Sequence, residues 1–167
     1  SRDWTSDGSF NAGSSSVVFN GTSIIGGSSI TTFNNLTVTG TLTAGSDFNV
    51  AGDFADDGTF DATGTTVSFV GGAPSIISGT TTPIPFDMLT VQKTSSSATL
   101  ATDLTGLTAL TVSGGTLDIA TFGVTQNGLG GTLTLDAATV LRIEGPNALP
   151  VFDTYNFDPA STVEYYG

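Results

Sequence analysis

A chain of 167 residues is long enough to bury one core or to stack a few repeat units. Its 30 Thr, 18 Ser and 22 Gly stand against 15 acids and 3 bases, a net charge of −12 that excludes a nucleic-acid-binding face and disfavours an anionic membrane surface. The absence of Cys and His removes disulfides, thiolate and imidazole metal sites, and the usual nucleophile triads. Polarity on this scale suits disorder, but 38% of the residues are hydrophobic, and Val, Ile, Leu and Phe recur in alternation with Thr and Ser. That supply of apolar side chains predicts a folded, all-β protein. Of the 15 acids, 13 are Asp, the acid that suits turns, so the charge reads first as a solubilising surface.

In chain order, the start Ser1-Arg2-Asp3-Trp4 has neither an initiator Met nor a hydrophobic leader, as expected of a piece excised from something longer. Trp4-Thr-Ser-Asp-Gly-Ser-Phe10-Asn-Ala12 then matches Phe54-Ala-Asp-Asp-Gly-Thr-Phe60-Asp-Ala62 without a gap. Val17 and Phe19 fall on Val67 and Phe69, Ile24-Ile25 answers Ile76-Ile77, and Phe33-Asn-Asn-Leu36-Thr-Val38 answers Phe86-Asp-Met-Leu89-Thr-Val91. A third copy opens at Phe157-Asp-Pro-Ala160 and Val163-Glu-Tyr165. Inside this long repeat is a shorter one, because Leu-Thr-Val returns at 36–38, 89–91 and 110–112, with Leu133-Thr-Leu135 after it. The spacing predicts coils of roughly 21–26 residues, with the long repeat equal to two coils, and units that bury their apolar side only by stacking. The corresponding division is 1–53, 54–107 and 108–156, with 157–167 a truncated copy.

Within the second unit, Gly71 to Pro85, with Pro74, Pro83 and Pro85, reads as a loop bulging from the stack. Leu117 and Ile119, Phe122 and Val124, Leu133 and Leu135, and Leu141 and Ile143 show the two-residue period of half-buried strands. Breaks are expected at Gly114-Gly115, Asn127-Gly128 and Gly130-Gly131. No helical period stands out, and no apolar run is long enough to span a membrane.

The string Phe33-Asn-Asn-Leu-Thr-Val38, preceded by Gly-Ser-Phe-Asn-Ala-Gly and Val-Val-Phe-Asn-Gly, resembles repeats of very large bacterial surface and secreted proteins. Leu110-Thr-Val-Ser-Gly-Gly-Thr-Leu-Asp-Ile119 is similar to the β-strand repeats of autotransporter-type passenger regions. The resemblance covers nearly the whole chain. It implies a β-solenoid exported to the cell surface as a stalk, adhesin or filament element, and it brings no catalytic residues.

Chemistry has few candidates. Lys93, the sole lysine, reads as an ordinary surface side chain. Asp53, Asp56, Asp57 and Asp61 form the densest acidic group; their counterparts Asp3, Ser6, Asp7 and Asn11 retain two of the four carboxylates. Asp57-Gly58 and Asp7-Gly8 are turn dipeptides in matching positions, which gives a corner reading. Asp53, Asp56 and Asp57 remain open as calcium ligands, although the loop pattern with alternating acids and a late Glu is missing. Arg142 and Glu144, two apart on a strand, are expected to pair on one face. Asn20-Gly-Thr22 and Asn35-Leu-Thr37 are sequons. The recurrent aromatics read as core or inter-coil stacking ahead of a sugar platform. Thr-x-Thr pairs at 37/39, 41/43, 63/65 and 132/134 raise a flat face for ice or crystalline polysaccharide, against the plain strand preference of Thr.

The expected fold is an elongated, parallel β-helix-like solenoid, with tandem small β-sandwiches as the alternative. The expected function is a non-enzymatic structural or adhesive element of an extracellular or cell-surface fibre, with copies of itself, flanking repeats or surface glycans as partners and no resident cofactor beyond the calcium left open above. A carbohydrate-binding module is the alternative, and a polysaccharide-active enzyme a third.

Overall fold

The computed structural model describes residues 2–167; the reading of Ser1 as an excised start lies outside them. The chain is all-β, without helices among the described residues, and winds into a β-solenoid of about 8 turns. Every strand pairing in it is parallel. Tandem sandwiches are therefore corrected: their hairpins demand antiparallel neighbours, whereas parallel partners here meet one coil later.

The coils run through three columns of stacked strands. The first contains Trp4–Thr5, Thr22–Gly26, Thr41–Ala44 and Thr59–Asp61, then Ile84–Pro85, Leu104–Leu107 and Val124–Gln126. The second climbs through Thr31–Phe33, Phe48–Val50 and Thr66–Gly71 to the first half of Met88–Leu100, the first half of Ala109–Asp118, then Thr132–Leu135 and Thr154–Phe157. The third takes Ser16–Phe19, Asn35–Val38, Phe54–Asp56 and Ser75–Gly79, the second halves of the two long strands, then Val140–Glu144 and Thr162–Tyr166.

Alternation explains why these segments are strands. Leu36 and Val38, Phe48 and Val50, Leu89 and Val91, Leu110 and Val112, and Leu133 and Leu135 all point inward and are at most 1% exposed. Stacked in register they form one continuous core. Phe33, Phe48, Phe60 and Phe86 run along it in turn, with Phe54 against both Phe60 and Phe86, the ring centroids 5.2 to 6.3 Å apart in tilted or edge-on contact. These phenylalanines are packing, as the repeat suggests, whereas Tyr155, Phe157 and Tyr165 are exposed.

A coil advances as few as 17 residues, between Thr32 and Asn49, and as many as 24, between Asp118 and Arg142. The separations of 21 and 23 residues between successive Leu-Thr-Val strings are single coils, since Leu89, Leu110 and Leu133 stand in register. The long repeat, however, is not two coils. Trp4 lies in the first column of the first coil and Phe54 in the third column of the third. Val17 likewise moves from the third column to the second at Val67, and Leu36 to the second at Leu89. The sequence repeat thus runs two turns and two columns, out of phase with the winding.

Two local readings also change. Ser75–Gly79 is a strand inside the supposed Gly71–Pro85 loop, with Ile77 buried on the core and Ile76 outside. Gly114-Gly115 does not break a strand. Ala109–Asp118 continues through it and turns the corner between columns two and three, where Gly115 takes φ +69 and a Cβ would meet Ser96 O at 2.5 Å.

Candidate functional site

Polar side chains gather at the corners, and most of them hold one coil to the next. Asp3, Asp7, Asp47, Asp53, Asp57 and Asp103 each accept the backbone N–H of a residue one coil on: Ile24, Ser28, Thr66, Ile76, Thr80 and Gly123. Asp87 and Asp153 reach the opposite way, to Gly64 and Gly130. At a corner, or where a strand residue such as Ile24, Thr66 or Ile76 lies before the start of its neighbour's ladder, the N–H needs another acceptor, and a short carboxylate supplies it without spanning far. Asp7 also accepts from the Ser28 hydroxyl, and the Ser28 backbone N–H is the main cause holding its carboxyl below the usual range. Asp61 is held low by the Thr63 backbone N–H.

The three calcium candidates do not converge. Asp53 and Asp57 point to the amides of Ile76 and Thr80, whereas Asp56 turns into the core. No group of three or more His, Cys, Asp or Glu arranged to hold a metal ion occurs among the described residues. Asp56 is fully buried; its Oδ1 accepts the Gly58 N–H, and its Oδ2 has no partner. Burial pushes this carboxyl above the ordinary range.

Lys93 corrects the surface reading. It is 1% exposed, with Nζ donating to Ala51 O at 3.0 Å, Val70 O at 2.8 Å and the Ser75 hydroxyl at 2.5 Å. One ammonium thereby ties three successive coils at a corner. Desolvation lowers its pKa to about 8, partly opposed by Asp53. The signal was in the alternation: Leu89, Val91 and Lys93 share one parity, as do Phe54 and Asp56.

Arg142 does not pair with Glu144 along its strand. It bonds Glu164 at 2.8 Å and Asp118 at 3.2 Å, its register neighbours in the coils above and below. Tyr166 stacks under its guanidinium, 4.1 Å from the guanidinium carbon to the ring centroid, and donates to Asp118 at 2.9 Å. In a parallel sheet the neighbour across coils lies closer than the residue two further along.

Asn35 is likewise a connector: its amide donates to Ser16 and accepts from Asp53 N, whereas Asn20 of the other sequon is exposed. The Thr-x-Thr pairs are scattered, with 41/43 in the first column and 132/134 in the second, while Thr65 is buried. The outward rank of the second column is nonetheless small and polar along seven coils, through Thr32, Asn49, Ser68, Thr90, Thr111, Thr134 and Asn156.

Concave surface is modest. A groove of about 180 Å³ runs along the corner between columns one and two, past Asp61, Thr63, Pro85, Asp87 and Asn127. A hollow of about 480 Å³ lies at the first coil, between Arg2, Trp4, Val17, Phe19 and Ser23. No helix among the described residues is long and apolar enough to cross a membrane. No family model, curated protein or solved structure matches the chain.

Proposed function

We propose that this chain is a structural and adhesive element of an extracellular or cell-surface fibre, exported by a bacterium, with no catalytic role. The observation that carries the proposal is where the polar side chains go. Most of the corner Asp side chains, with Asn35, Lys93 and Arg142, bind backbone and side chains of neighbouring coils, while Asp61, Asp87 and Asn127 border the shallow groove, so what the polar set chiefly supplies is axial cohesion. At about 4.8 Å per coil, the stack is a rod on the order of 40 Å long, each coil held along the axis by ladder bonds and corner clasps. The resemblance to surface-protein repeats supports the same reading from the sequence side.

Antibody raised against the purified chain, applied to the producing cells in thin section, is expected to label the outer surface and structures projecting from it. Label confined to the cytoplasm refutes the proposal. Stretching one molecule between a surface and a cantilever checks the mechanical half: the chain should yield in coil-sized steps under sustained force, and extension without measurable resistance counts against a load-bearing role.

A further inference from the structure

We propose that Asn127-Gly128 is a site of self-modification, where the chain converts its own asparagine to aspartate and isoaspartate through a cyclic imide. The Gly128 main-chain nitrogen attacks Asn127 Cγ. A bond from that nitrogen to Cγ forms as Cγ–Nδ2 breaks, and Nδ2 leaves as ammonia carrying the Gly128 proton. Water then opens the ring. Opening at Cγ leaves aspartate, and opening at the Asn127 main-chain carbonyl leaves isoaspartate, with Gly128 attached through the side chain. Water is the sole co-reactant, so the reaction proceeds whether or not the chain serves a fibre.

Ring closure has three requirements. The side-chain carbonyl carbon must turn freely toward the next nitrogen, that N–H must be unengaged, and the glycine must have room to rotate. Asn or Asp precedes Gly at four places: Asp7-Gly8, Asn20-Gly21, Asp57-Gly58 and Asn127-Gly128. The fold withholds the reaction from three of them. The Asp7 carboxylate accepts the Ser28 N–H and hydroxyl, and the Asp57 carboxylate accepts the Thr80 N–H. Neither carries an amide to expel. Asn20 is an exposed amide, but Gly21 is held against the next coil. Its carbonyl accepts the Thr41 N–H at 2.9 Å, and a Cβ on Gly40 would meet Gly21 N at 2.6 Å.

Asn127-Gly128 meets all three. Residues 127–130 are exposed, and the Asn127 side-chain amide makes no hydrogen bond among the described residues. Gly128 is bonded through its carbonyl, which accepts from Gln126 Nε2 at 3.0 Å, while its N–H donates to nothing among the described residues. A Cβ on Gly128 would meet no atom within 4 Å, and its φ of +64 is one that glycine adopts without strain. The anchors flank the reacting bond. Asn127 N–H donates to Leu107 O at 2.9 Å, and Asp153 accepts from Gln126 and Gly130. Asn127 also borders the groove beside Asp61 and Asp87, so its conversion adds a carboxylate there and takes the net charge one unit below −12.

The folded chain, held at mildly alkaline pH and sampled over weeks, tests this by peptide mapping with mass spectrometry. Asn127 is expected to convert about tenfold or more faster than Asn20, with isoaspartate among the products. In denaturant, where Gly21 is freed from Gly40, the two rates should converge. Equal rates in the folded chain, a faster Asn20, or a gap that persists in denaturant overturns selection of the site by the fold. Aspartate without isoaspartate overturns the imide route. An Asn127 that stays intact while the denatured chain reacts overturns the proposal as a whole, and none of these results touches the fibre reading.

Discussion

Lys93 and Asp56 are the residues whose burial runs against their chemistry, and they behave differently. Lys93 meets three acceptors, so removing it takes the side-chain donor from Val70 O and leaves Ala51 O and the Ser75 hydroxyl only their long bond to each other, 3.4 Å. Lys93→Met, which keeps the aliphatic stem, is expected to cost about 2–4 kcal/mol in denaturant unfolding, from polar groups left unpaired. The pH signature has a definite sign. The folded pKa near 8 lies below the ordinary 10.5, so the fold disfavours the charged amine. That penalty is complete below pH 8 and is relieved as pH rises toward 10.5, so the wild type gains stability across this window and Lys93→Met does not. Tyr166 works the other way, since burial pushes its hydroxyl up to about 12 and stability is lost only above pH 10, as the unfolded phenol ionises. Asp56 has one oxygen without a partner and a raised pKa, so its charge opposes folding at neutral pH. Asp56→Asn is expected to raise stability by about 1 kcal/mol at roughly pH 7, the gain shrinking as pH falls and the carboxyl protonates. An unchanged or lower midpoint at neutral pH contradicts this account.

The corner is the element on which the architecture depends. Gly21, Gly40 and Gly58 stack between the third and first columns, where a Cβ on Gly40 would meet Gly21 O at 2.4 Å and one on Gly58 would meet Gly40 O at 2.2 Å. Backbone fills the space a side chain would take, so the coils can approach to ladder distance. Gly58→Ala forces coils three and four apart and is expected to cost about 1–3 kcal/mol, with amide exchange accelerating first at Thr59, whose N–H bonds Gly40 O. Uniform acceleration along the chain would place the strain elsewhere. Asp57-Gly58 is therefore a corner, as its sequence suggests, but the carboxylate faces the next coil and the glycine the previous one. A turn dipeptide announces a change of direction; it does not announce which neighbour presses against it.

At the scale of the molecule, 15 acids lie on a rod with three cations, and both ion pairs among the described residues belong to Arg142. Repulsion between carboxylates outweighs attraction, so added salt should stabilise the fold. The thermal midpoint is expected to rise between about 10 and 300 mM sodium chloride, where the Debye length shortens from roughly 30 to 6 Å. A midpoint that falls instead would show that ion pairing outweighs the repulsion.

The all-β class, the half-buried strands and the stacking of coils were legible in the amino-acid order, because a two-residue period and a coil-length period are both written in apolar side chains whose burial each strand settles locally. Leu89, Leu110 and Leu133 already mark the single-coil step. The phase of the long repeat, the burial of Lys93 and Asp56, and the cross-coil partners of Arg142 emerged only with the folded chain. Coil length varies from 17 to 24 residues, so a fixed offset drifts from one column to another. Which groups meet is set by stacking along the axis, and residues some twenty positions apart become neighbours only once every intervening corner has turned.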